Sequence, residues 1–211
     1  ATTLAGLSRP ERKTIAALAA LDGAPTQSEH LAAVVGPDAA ALIRRELTER
    51  GLIQQTPGNG YRLAGGVAPA LAEPDLAAWR EWWIDLYARW ACFQKHANPA
   101  LLLRDTDAIR ALIRWAAAAG RHRDVIRLTR AIEAALTLDR QWRAWSEIVE
   151  LARGAAVAAG LPAAEAWALH QQGTRALLEG RTDEARAALQ RALAMRQALG
   201  DRIGAELTGY H

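Results

Sequence analysis

Five histidines, one cysteine and a scatter of carboxylates are the residues through which this 211-residue chain would do covalent or metal chemistry. Their spacing argues against it. His30, His96, His122, His170 and His211 fall on separate predicted elements, and none has a second histidine one helical turn away to complete a zinc pair. They are expected to be solvated or structurally satisfied. Cys92 precedes His96 by one helical turn, a spacing that suits a thiolate and its base, but no orienting carboxylate or loop accompanies the pair. The glycine-rich loop Gly58-Asn59-Gly60 lacks the lysine and hydroxyl residue that grip phosphate and magnesium, and is expected to be a hairpin turn. The residues therefore predict no enzyme, no metal site and no cofactor.

Binding is the chemistry that the remaining pattern suits. Between Arg104 and Arg130 there are seven arginines against Asp105, Asp107 and Asp124. Arg123, Arg127 and Arg130 share one helix face, and with His170 and Arg175 on a later helix they are the candidate partner-binding residues. An acidic peptide or a phosphate-bearing ligand would suit such a face; a solvated face paired with neighbouring carboxylates is the competing expectation. The formal net charge of the whole chain is +3, too mild to imply nucleic acid by itself. Residues 1–75 hold seven basic and eight acidic side chains, and Arg44, Arg45 and Arg50 of the third helix are offset by Asp38, Glu46 and Glu49. A duplex needs a basic surface to displace its counterions, so this segment is expected to pack on protein, with DNA unlikely. The single cysteine excludes an internal disulfide framework and suits a reducing cytoplasm. No apolar run is long enough for a membrane span, and no signal peptide is visible.

The elements that must position these residues emerge from punctuation and period. Ser8, Pro10 and Glu11 predict a helix start, and Asp22-Gly23-Ala24-Pro25 its end. Thr26 with Glu29 predicts a capping box on a short second helix, and Gly36-Pro37-Asp38 opens a third that runs to Gly51. Leu52 to Gln55 and Tyr61 to Leu63 predict two strands about the glycine-rich turn. Three helices and a hairpin make a winged helix-turn-helix of residues 1–66. A connector, 67–75, contains Pro69 and Pro74. A linking helix within 76–103 places Trp79, Trp83, Leu86 and Trp90 on one side, expected to pack the first domain onto the helices after it.

Residues 104–211 repeat. Slid by about 40 residues, Gly120, Gly160 and Gly200 coincide, each closing an apolar helix. So do Ile109, Val149 and Leu189; Leu112, Ala152 and Ala192; and Trp115, Ala155 and Met195. One helical hairpin cannot bury such stripes alone, and stacked copies can. In residues 163–204, Gly173 takes the small position of a first helix, and Ala185, Leu189 and Ala192 the small, large and small positions of a second. Leu199-Gly200-Asp201-Arg202 followed by Gly204 forms the inter-repeat turn. This stretch resembles the tetratricopeptide repeat (TPR) family, in the long-repeat form found in signal-transduction ATPases with numerous domains (STAND or NB-ARC type). Gln172, where an apolar residue is usual, and Ala176, where an aromatic is common, depart from that pattern.

Residues 1–66 resemble the winged helix that follows the nucleotide-binding core of the same ATPases. The histidine commonly found after the last strand is replaced here by Ala64-Gly65-Gly66, so a nucleotide-sensing contact is not carried over. The expected fold is mainly α, a winged helix-turn-helix followed by a right-handed TPR-like α-solenoid, its last repeat cut short in Ala205 to His211 and with flanking domains in the parent. The resemblance implies a non-catalytic regulatory segment. Its winged helix would pack on an adjacent nucleotide-binding domain, while the solenoid binds a protein or small-molecule trigger. A DNA-binding transcription regulator with a TPR effector domain, and a constitutive protein-protein scaffold, are the alternatives.

Overall fold

The computed structural model describes residues 6–67 and 73–210. It is mainly helical, with ten α-helices and one small sheet among those residues. Pro69 of the expected connector lies outside them, as does His211. The chain divides between Leu112 and Ile113 into two compact units, a boundary that falls inside a helix.

In the first unit, α1 (Arg9–Ala19) begins on the predicted cap. The Ser8 amide donates to Glu11 Oε2 at 2.6 Å and the Glu11 amide to Ser8 Oγ at 3.4 Å, a reciprocal capping box. Ile15, Ala17 and Leu18 of this helix are fully buried. The second predicted capping box does not form. Thr26 and Gln27 make a strand, β1, and α2 (Ser28–Val35) starts after Gln27 without a side-chain cap. The reason is a competing partner: the Thr26 hydroxyl is buried and bonded to Tyr87 at 2.7 Å. After α3 (Pro37–Glu49), β2 (Ile53–Thr56) and β3 (Gly60–Leu63) pair antiparallel in the predicted hairpin, and β1 adds to the free side of β3, giving the order β1-β3-β2.

Helix α4 (Glu73–Ala97) carries the tryptophan stripe. Trp83 is fully buried with its Nε1–H donated to the Ala17 carbonyl at 2.8 Å, and Tyr87 stacks on it with ring centroids 5.5 Å apart. Trp83 therefore packs on α1, while Trp90 meets the His30 ring of α2 with centroids 4.6 Å apart. A 3-10 segment (Pro99–Asp105) leads into α5 (Thr106–Ala118).

The second unit contains α6 (His122–Leu138), α7 (Trp142–Ala158), α8 (Pro162–Leu178), α9 (Thr182–Ala198) and the short α10 (Arg202–Gly209), each packed on the next. The first four are each 17 residues long. The turns before and after them recur every 20 residues, at Gly120, Arg140, Gly160, Gly180 and Gly200, all with φ between 57° and 74°. Each turn closes by the same backbone bond, from the following amide to the carbonyl five residues back, such as Arg121 to Ala116 and Gln141 to Leu136 at 2.8 and 2.9 Å. The positions that coincide in the sequence face inward: Val149, Leu189, Ala152 and Ala192 are buried.

Candidate ligand-binding surface of the helical hairpins

The five candidate residues of the second unit do not form one site. Arg123 and Arg127 are exposed on α6, and Arg127 pairs with Asp124 at 3.1 Å, one turn away. Arg130, on the same face, lays its guanidinium over the Trp167 ring of α8, 4.9 Å from the centroid. His170 follows Trp167 by one turn, and its Nδ1 lies 3.2 Å from the Thr208 hydroxyl of α10. Thr208 in turn accepts from Arg196 of α9 at 2.7 Å, and Arg196 also donates to the Gly204 carbonyl. Arg130 and His170 are thus brought into one cluster with Trp167, Arg196 and Thr208.

The electrostatics of that cluster suit an anion. Partial desolvation of the otherwise exposed Arg130 lowers its pKa, the neighbouring Arg196 lowers it further, and Glu133 only partly offsets them. Arg196, itself buried, is lowered by desolvation against the opposing pull of Asp201. A negatively charged group over Trp167 would relieve the repulsion between the two guanidiniums.

Arg175 is elsewhere. It follows His170 by five residues, roughly 140° around a helix of 3.6 residues per turn, so it leaves the first cluster. Its Nε donates to Glu179 at 2.8 Å and its Nη1 to Ser146 of α7. There it lines a cavity of about 250 Å³ held by α7, α8 and α9, with Trp145, Glu150, Gln172, Arg181 and Glu184 as further walls. Arg181 is bonded to Glu179 and Glu184. A neighbouring cavity of about 480 Å³ shares Ser146, Glu150 and Arg175.

Against known proteins, the chain matches no family model, no curated protein and no solved structure. The site accordingly stands on its own residues.

Sequence reasoning passed over Trp145 and Arg196, and gave Trp167 no part in binding. A signal for Trp145 was present: slid by about 40 residues it coincides with Ala185, so the largest side chain stands where the next copy has a methyl group. Arg196 carried no such mark, because a helix arginine normally reads as solvated; only its bonds to α10 explain its burial.

The other candidate chemistry resolves differently. His30 is buried and sits 3.2 Å from the Asp105 carboxylate. Cys92 and His96 are both exposed on α4. No group of metal-ligating residues occurs among the described residues. On α3, Arg44 donates to the Ser28 carbonyl at 3.4 Å and lies over the Tyr61 ring, and Arg45 approaches Glu49 at 3.9 Å; just past its end, Arg50 pairs with Glu11 at 2.9 Å.

Proposed function

We propose that the chain is a non-catalytic regulatory and sensor segment of a signal-transduction ATPase. In this reading the first unit begins with a winged helix that packs on a nucleotide-binding core and restrains it. The later helices form a right-handed, tetratricopeptide-like solenoid that takes up a protein or small-molecule trigger. The observation that carries the reading is the 20-residue period of left-handed turns joining helices of equal length, each packed on the next. Stacked hairpins of this kind make extended surfaces whose first-helix side chains are free to specialise, and the Arg130-Trp167-His170 cluster lies on such helices. For the winged helix, support comes from the element order and the antiparallel β1-β3-β2 sheet. Arg44 of α3 and Arg50 just past its end, each engaged by its own unit, favour protein packing over a duplex.

The test is genetic and then enzymatic. The reading requires that the parent gene encode, upstream of this chain, a glycine-rich phosphate loop with its lysine and hydroxyl residue. The isolated nucleotide-binding domain should then hydrolyse ATP faster than the same domain joined to this chain. Absence of the loop, or equal rates, sinks it.

A further inference from the structure

Trp145 is 2% exposed, and its indole Nε1–H is the one buried side-chain polar atom without a partner among the described residues. Buried donors are nearly always paired, so this one calls for an acceptor that the chain itself does not supply. Trp145 lines the cavity between α7, α8 and α9. Glu150, in the same wall, offers the complement: an exposed carboxylate with no ion pair or hydrogen bond among the described residues. It also lines the neighbouring cavity, so it stands where the two meet.

The remaining charges of the cavity are Arg175, Arg181 and Glu184, which with Glu150 make two cations and two anions. Arg175 is already bonded to Glu179, and Arg181 to Glu179 and Glu184, so the groups left to be met are the Trp145 donor and the Glu150 carboxylate, and a zwitterion carries the complement of both. Val149, Ala176 and Ala188 supply apolar wall beside these groups. At about 250 Å³ the cavity falls below the roughly 300–1,000 Å³ of drug-sized pockets, which limits the occupant to a small molecule.

We propose that this cavity binds a free α-amino acid with an apolar side chain, its carboxylate accepting from Trp145 Nε1–H beside Arg175 and its ammonium held by Glu150. The proposal deepens the sensor reading by naming the chemical class of the trigger, and it rests on that reading for its regulatory meaning.

The experiment is titration of the ¹⁵N-labelled chain with L-leucine, L-leucinamide and N-acetyl-L-leucine, following the tryptophan indole resonances. The Trp145 signal is assigned by its loss in Trp145→Phe. L-leucine should move that resonance. Leucinamide lacks the carboxylate charge and N-acetyl-leucine lacks the ammonium, and each should bind at least about tenfold more weakly. Glu150→Gln, at an exposed position that leaves packing intact, should weaken L-leucine about tenfold. An indole resonance indifferent to L-leucine, equal affinity for all three probes, or an unchanged Glu150→Gln variant overturns the proposal. Failure here with the ATPase restraint still present removes the ligand class alone. L-leucine binding in a parent without a nucleotide-binding domain leaves the site and removes the regulatory reading.

Discussion

Asp105 gathers donors from three elements of the first unit. Tyr87 donates its phenol proton to Oδ1 at 2.8 Å, the Gln27 amide reaches the same oxygen at 3.2 Å, and His30 Nε2 lies 3.2 Å from Oδ2. Because the single phenol proton goes to the carboxylate, the Thr26 hydroxyl must donate to Tyr87. Burial and the adjacent Asp105 raise the Tyr87 pKa well above its ordinary value, so the phenol stays a donor. Asp105→Ala would strip β1, α2 and α4 of this common acceptor and should cost about 3–5 kcal/mol in urea denaturation, with Asp105→Asn costing less. Glu11 sets a pH dependence of known sign. Burial alone would raise its carboxyl, but the Ser8 hydrogen bonds and the Arg50 guanidinium outweigh it and hold the pKa below the usual carboxylate range. A depressed native pKa stabilises the fold above the ordinary glutamate value of about 4.3, and that contribution fades as pH falls through the native value. Stability measured from pH 6 to pH 3 should therefore drop less steeply in Glu11→Gln than in the wild type, from a lower starting point.

Between helices, close packing decides which substitutions are tolerated. Gly173 of α8 lets α9 approach closely: a Cβ there would sit 2.6 Å from Leu189 Cγ and 3.3 Å from the Ala185 carbonyl oxygen. The gain in helix propensity on Gly173→Ala is about 1 kcal/mol, while overpacking costs about 1–3 kcal/mol. Net destabilisation is expected by thermal unfolding. Gly154→Ala, at an exposed site of α7 where a Cβ meets nothing within 4 Å, should instead gain about 0.5–1 kcal/mol. The turn at Arg140 is the exception in the series of left-handed closures, with φ 57° on a residue that has a Cβ. That conformation costs about 1–2 kcal/mol, against roughly 0.4–1 kcal/mol of unfolded-state entropy added by a glycine. Arg140→Gly should raise stability by up to about 1.5 kcal/mol. This arginine also explains why the sequence shows a 40-residue spacing of turn glycines ahead of α8 when the helices recur every 20: it conceals one of the turns.

Across the whole molecule, charge sets what the chain can hold. The net charge of +3 is spread over many arginines that are already paired, among them Arg50 with Glu11, Arg80 with Glu73, Arg114 with Glu147 and Arg191 with Glu165. Displacing the counterions of a duplex requires several unpaired cations on one surface. Labelled random duplex DNA should therefore show no measurable binding at physiological salt and only weak binding at low salt. Tight binding that falls steeply with salt would turn the first unit into a DNA reader. No helix among the described residues is long and apolar enough to cross a membrane.

By itself the sequence determined the mainly helical character, the ends of α1, α3 and the later helices, the hairpin of β2 and β3, and the inward faces of the repeated helices. These depend on local rules: caps, turn residues and apolar period act within about one or two turns of chain. Only the tertiary structure decided the rest, because it depends on partners distant in sequence. Thr26 reads as a cap until Tyr87, 61 residues away, claims its hydroxyl. His30 and Asp105 look unrelated until β1, α2 and the segment before α5 bring them to 3.2 Å. His170 and Arg175 look like members of one surface until helix phase and the neighbours of α8 send one to Thr208 and the other to Ser146. Trp145 looks like ordinary core until its buried N–H is left without an acceptor.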